Sequence, residues 1–133
     1  MKTIVINTIP EFIPLVDNIK KDIYSSKYRI ITEKVKTPDL EIFIGWSYGR
    51  DLVRVIFSTI NREYYNSFLK SSEDNRLNVG FLTINYTYLR HQKYPAVALE
   101  MFRKDNPEDI EKYKELITNF IIKAIYDHDK KED

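Results

Sequence analysis

Apolar positions along this chain alternate between a period near 3.6 and a period of two, and the switches mark its elements. Ile4-Val5-Ile6 reads as a short N-terminal strand or extended arm. From Pro10 to about Tyr24, Phe12, Val16, Ile19 and Ile23 recur at helical spacing, with Pro14 tolerable in a first turn, so a first helix is predicted. Residues 28–36 place Tyr28, Ile30, Ile31 and Val35 among charges and predict an exposed strand, ended by Thr37-Pro38-Asp39 as a turn.

The strongest local signal is a hairpin over Leu40–Ile60. Gly49-Arg50 suits a two-residue turn whose first position needs positive φ. Folding there sets Trp46 opposite Val53, Ile44 opposite Val55 and Ile42 opposite Phe57, an all-apolar face that a one-residue slip would destroy. The other face pairs Ser47 with Leu52, Gly45 with Arg54, Phe43 with Ile56 and Glu41 with Ser58. Asn61 is placed to cap a short helix from Arg62 to about Lys70. Two more strands, Asn78–Leu89 and Ala96–Arg103, are joined by the loop 90–95. Asn106-Pro107-Glu108-Asp109 is a helix start, followed by the widest apolar stripe of the chain, through Ile110, Leu116, Ile117, Phe120, Ile121 and Ile125.

The predicted fold is therefore α+β: one domain over residues 1–127 in the order (β)-α-β-β-β-α-β-β-α, with a mainly antiparallel five-stranded sheet. Residues 128–133 are expected to be a frayed, charged tail. Two long helices over 11–24 and 107–127 would cover one sheet face, leaving Phe43, Ile56, Leu82, Ile84, Tyr86 and Tyr88 partly exposed. An apolar patch of that kind points to a two-fold homodimer.

Composition narrows the chemistry. The 133 residues contain no cysteine, three glycines and two histidines, which removes disulfides and thiolate sites. With 21 Lys+Arg against 20 Asp+Glu, a nucleic-acid site would have to be a local patch. Abundant Ile, Lys, Asn, Tyr and Phe with scarce Ala and Gly are what an AT-rich cellular or viral genome produces. No signal-peptide core and no apolar run near 20 residues occurs, so an intracellular, cytoplasmic protein without membrane contact is expected.

Helix, three strands, helix and strand in succession, with the dipeptide Pro38-Asp39, resemble the core of the PD-(D/E)xK nucleases. That resemblance implies Mg²⁺ held by carboxylates and a lysine that assists water, but the third strand, Leu52-Val53-Arg54-Val55-Ile56-Phe57, has no Glu-x-Lys. The whole order also looks like the architecture of type III secretion chaperones, which implies homodimers that bind a partner segment. Asp127-His128-Asp129 cannot close on one ion from consecutive helical positions. His91 reads as a turn residue among cations, and Glu100 as the partner of a base such as Arg54.

The most suggestive constellation is Tyr86, Tyr88, Arg90, His91, Lys93 and Tyr94, an aromatic row on one strand face ending in a basic loop. Such a surface suits a protein interface or the stacking of single-stranded bases. With Phe43 and Ile56 they form the expected binding surface; no catalytic residue, metal ligand or cofactor is assigned. The expected function is that of a non-enzymatic protein-interaction domain of adaptor, chaperone or inhibitor type. The alternative is a nucleic-acid-binding protein, with a degenerate nuclease as its extreme.

Overall fold

A strand that is apolar on both faces belongs in the middle of a sheet, and residues 96–101, Ala-Val-Ala-Leu-Glu-Met, are apolar at every position but Glu100. The computed structural model describes residues 1–48 and 53–132, with side chains to Lys130, and places that strand centrally. Its elements are β1 (Lys2–Thr8), a 3-10 turn (Pro10–Phe12), α1 (Ile13–Asp22), β2 (Tyr28–Ile31), β3 (Leu40–Trp46), β4 (Val53–Phe57), α2 (Tyr65–Asp74), β5 (Val79–Thr83), α3 (Thr87–Arg90), β6 (Ala96–Met101) and α4 (Asp109–Glu132). The six strands form one mixed sheet in the order β2-β1-β3-β6-β4-β5. β1, β2, β3 and β6 run parallel; β4 is antiparallel to β6 and parallel to β5. The expected five antiparallel strands are thereby corrected to a single-domain α/β arrangement of six strands and, among the described residues, four α-helices.

The expected hairpin is not made, because β6 lies between β3 and β4. Its register nonetheless survives across the inserted strand, as the rows Ile44–Leu99–Val55, Phe43–Ala98–Ile56 and Gly45–Glu100–Arg54 demonstrate. Alternation fixes which face each residue takes, and inserting a strand in register leaves those faces unchanged. The turn assigned to Gly49-Arg50 lies outside the described residues.

α1, α2 and α4 all cover one face, on which Ile4, Ile6, Leu40, Ile42, Val55, Phe57, Val97 and Leu99 meet the helices. α4 sits between its two neighbours. Asn18 Nδ2 donates to Thr118 Oγ1 at 2.8 Å on the α1 side, and Ser71 Oγ donates to the Phe120 carbonyl at 2.7 Å on the α2 side. Lys123 bridges Asp74 of α2 and Asp127 of its own helix, both at 3.2 Å. The opposite face is covered by the segment 84–90, whose Leu89 is buried against Ile56, Ala96 and Ala98. Three of the apolar residues expected to form an exposed interface, Ile56, Leu82 and Ile84, are instead packed into this second, smaller core, and Ile56 is fully buried.

Other boundaries move for local reasons. The strand expected over 78–89 stops at Thr83, since Asn85 Oδ1 accepts from Thr59 N and the Tyr86 carbonyl accepts from the amides of Leu89 and Arg90, opening α3. Asn61 caps nothing; its side chain holds the Tyr94 carbonyl and the Ala96 amide. Pro38-Asp39 is a turn, with Asp39 Oδ2 accepting from Thr3 N at 2.7 Å, which gives the nuclease-like dipeptide a structural role. Fraying at residue 128 is corrected as well: α4 continues through it, and His128 is buried with its ring stacked on Tyr64 at 3.8 Å. Asp129 accepts from Lys2 Nζ at 2.6 Å and from the Tyr28 hydroxyl, tying the last helix to β1 and β2.

Two outcomes follow from this packing. Leu99→Ala removes a fully buried side chain from the central strand and is expected to cost about 2–5 kcal/mol in denaturant unfolding. Burial, the largest single influence on Asp129, pushes its carboxyl up, but hydrogen bonds from Lys2 and Tyr28, the Lys2 charge and His128 together outweigh burial and hold the group below the ordinary carboxylate range. A depressed folded pKa gives stability that is present above the unfolded value, near 4, and is lost as pH falls through the folded one. The thermal stability difference between the wild type and Asp129→Asn should therefore shrink in thermal melts below about pH 4, whereas a constant difference from pH 7 to pH 3 would remove the electrostatic account.

Candidate functional site

From β1 the chain crosses through α1 to β2 on one side, and β3 then lies on the other side of β1. The two neighbouring strands thus send the chain in opposite directions, and a crevice opens outside their carboxyl ends, the usual ligand position in open α/β sheets. A groove of about 250 Å³ occupies this place. Asn7 and Thr8 end β1 on one side, Gly45 and Trp46 come from β3, Glu100 from β6, and Tyr88 from α3.

Gly45 is the floor. A side chain there would have nothing within 4 Å, so the glycine leaves an open space directly beside its ladder partner Glu100. On the other side of Glu100, in the same row, Arg54 Nη1 stands 3.5 Å from Oε1. The carboxylate is therefore flanked by a cation on one hand and by empty space on the other. Two residues on, Phe102 takes φ 61°, a conformation uncommon for a bulky residue and of order 1–3 kcal/mol in cost. Ring contacts with Phe12 and Tyr113, and a hydrogen bond from Ser47 N to its carbonyl at 2.8 Å, hold it there.

An aromatic wall faces the carboxylate. Tyr88 stacks on Tyr86 at 5.3 Å and leans on Phe43 at 4.8 Å. Burial, then the neighbouring Tyr86 and Glu100, push its phenol up to about 12, so the hydroxyl stays protonated at physiological pH. Behind the opposite rim, Asn7 Nδ2 donates to Glu41 Oε2 at 3.3 Å, and Glu41 Oε1 accepts from the Tyr94 hydroxyl at 2.6 Å. Burial and the Glu41 contact push Tyr94 up to about 12 as well. The amide nitrogen of Asn7 is thus committed to a carboxylate.

The sequence-derived binding residues divide. Tyr88 and Phe43 line the groove, and Tyr86 supports them, but the three tyrosine and arginine positions 86, 88 and 90 do not share a strand face, since Tyr86 precedes α3 and the others lie on it. Ile56 is sealed beneath that segment. Arg90 and His91 are exposed at the end of α3, and Lys93 and Tyr94 line a separate hollow with Asn61 and Glu63. The basic loop and aromatic row therefore form no continuous surface. The Arg54–Glu100 pair is made as expected. Asn7, Gly45 and Trp46 were not anticipated as groove residues. A glycine inside an otherwise apolar strand was the available signal, since such a residue marks a bulge or a close approach.

Hydrolytic chemistry has limited means here. A metal-bound water needs about three protein ligands; among the described residues no three His, Cys, Asp or Glu converge and one carboxylate lines the groove, so that described donor set does not fit a catalytic metal. The Thr8 hydroxyl donates to the Ile44 carbonyl at 2.8 Å, and no histidine lines the groove to activate it. What remains is Glu100, a positioned carboxylate able to take a proton from water.

No protein-family profile matches the chain, and no curated protein does. Solved structures do. The CwlD amidase from Clostridioides difficile, solved in complex with the GerS lipoprotein, superposes with a TM-score of 0.71 at 11% identity over 96% of this chain and 98% of its own. The catalytic domain of CwlV, an N-acetylmuramoyl-L-alanine amidase from Bacillus (Paenibacillus) polymyxa var. colistinus, gives 0.68 at 15% identity over 96% and 98%. AmiC2, an N-acetylmuramoyl-L-alanine amidase of Nostoc punctiforme, gives 0.65 at 12% over 97% of both chains. This end-to-end correspondence with cell-wall hydrolases overturns the expected protein-interaction domain of adaptor type, and equally its nucleic-acid-binding and nuclease-like alternatives. The chain has the fold of N-acetylmuramoyl-L-alanine amidase catalytic domains.

Proposed function

We propose that this chain takes soluble amide-bearing fragments of the cell-wall type, with the muramoyl–alanyl linkage as the model, in the groove at the carboxyl ends of β1, β3 and β6. The observation that carries this reading is the position of Glu100. Among the described residues it is the one carboxylate lining a groove at the switch point of an amidase-type fold, with the space over Gly45 open beside it.

Glu100 is the residue that would meet a bound amide. As water adds to the carbonyl carbon, a Glu100 oxygen takes its proton, and the same proton passes to the departing nitrogen when the C–N bond breaks. Magnitudes decide how far this goes. General-base catalysis by one positioned side chain contributes about 10²–10⁴-fold, whereas enzymes accelerate their reactions by about 10⁶-fold or more. The groove is thus suited to recognise the amide, and its turnover is slow. A protein partner is compatible with this fold, as the neighbour solved with a lipoprotein illustrates.

The test is to titrate ¹⁵N-labelled protein with a muramoyl-alanyl peptide and to follow release of free amine. Shifts should concentrate at the Gly45 and Trp46 backbone amides. Glu100→Gln should hold the fragment within a few-fold of wild type while amine release drops to background. Unperturbed Gly45 and Trp46 at saturating fragment would end the proposal, and rapid turnover that survives Glu100→Gln would end the assigned role of the carboxylate.

A further inference from the structure

The two edges of the sheet are unlike. β2, at one end, is four residues long; its outward amide at Tyr28 donates to the Tyr24 carbonyl at 3.0 Å, and Arg29 lies exposed in it. A short strand with that donor occupied and a charge on its surface is a blunted edge. β5, at the other end, has none of these protections: Val79-Gly80-Phe81-Leu82-Thr83 carries no charge and no proline. The ladder fixes which of its groups are open. Ile84 N donates to the Phe57 carbonyl at 2.9 Å, one residue beyond the pair Phe57–Thr83, so Gly80 and Leu82 turn their amides and carbonyls toward β4. Those of Val79, Phe81 and Thr83 point the other way, and among the described residues nothing pairs with them.

We propose that this edge pairs with itself in a second copy of the chain, antiparallel about a two-fold axis through Phe81. The outward groups are symmetric about that residue, so Val79 meets Thr83 of the second copy and Phe81 meets Phe81, each pair exchanging both of its hydrogen bonds. Side chains fit the same register. On the helix-covered face Phe81 is half-buried beside Tyr65, with ring centroids 5.6 Å apart, and the second Phe81 extends that aromatic row. On the reverse face the half-buried Leu82 falls opposite Gly80 of the second copy, a large side chain against none, in the closer, non-hydrogen-bonded kind of pair. With no charge in the strand, two copies approach without repulsion along it. The two sheets become one, with both helix layers on one side and both grooves on the other, clear of the contact. A single strand pair is at the small end of interfaces, under about 1,200 Å², so the dimer is reversible and forms at high protein concentration.

Analytical ultracentrifugation of the full chain from about 10 μM to about 1 mM, the range in which weak pairs dissociate, is the first measurement. The sedimenting mass should rise from 15.9 kDa toward twice that value. Hydrogen exchange at the Val79, Phe81 and Thr83 amides should slow several-fold over the same range, while the Leu82 amide, facing β4, stays protected at every concentration. Thr83 is exposed, so its variants leave the core intact. Thr83→Pro deletes an outward amide, and Thr83→Lys sets a charge against Val79 of the second copy; each should weaken association by about tenfold or more. Arg29→Glu, on the opposite edge, should leave association unchanged. A mass that stays at 15.9 kDa at about 1 mM would overturn the self-pairing and leave the edge to a strand of another protein. So would a dimer that forms without slowing exchange at Val79, Phe81 and Thr83, or one that both Thr83 variants leave intact. The exchange measurement uses the wild-type chain alone, so it decides even where a variant misfolds.

Discussion

The burial of β6 at the centre of the sheet is the interaction on which the rest of the molecule depends. Its inward residues Val97, Leu99 and Met101 complete the floor beneath the helices, while Ala96 and Ala98 on the reverse are small enough for Leu89 to lie on them. It also joins the parallel and antiparallel parts of the sheet, since β3 pairs with one edge and β4 with the other. Remove that strand and the two halves share no ladder. The single polar position in it, Glu100, falls near its carboxyl end, where the reverse cover stops and the groove begins.

An uneven division of labour between the faces follows. Three helices seal one side, cross-linked by buried hydrogen bonds such as Asn18 to Thr118 and by the Lys123 bridge. Among the described residues the other side carries a short segment with one turn of helix, and the groove lies beside it. A site here can vary in its aromatic wall without disturbing the main core, because Tyr86 and Tyr88 belong to a segment that contributes nothing to the helical face.

Local information in the sequence reached some of this and missed the rest for identifiable reasons. Helix positions 12, 16, 19 and 23 are a period of one element, and so were visible; so were the faces and relative register of residues 40–46 and 53–57. What no local pattern contains is the identity of the strand between them, because a strand much later in the chain, Ala96–Met101, supplies the hydrogen bonds. Parallel pairing of β1 with both neighbours was hidden for the same reason. The alternation that suggested a strand through Tyr88 is equally satisfied by a turn of helix once Asn85 bonds to Thr59. The Glu100–Arg54 pair was readable because both residues broke an apolar pattern. The groove was not readable, since its boundaries are strand ends brought together by topology, and its floor is an absence, the missing side chain of Gly45.

The clasp among Lys2, Tyr28 and Asp129 joins residues 127 positions apart in the chain, so the two ends of the domain emerge side by side. They emerge at the pole where β1 begins, and the groove lies at the pole where β1 ends, on the order of 20 Å away along a strand of this length. A domain built this way can be spliced into a loop of another protein, or carried on a stalk at either end, with its opening directed away from the attachment.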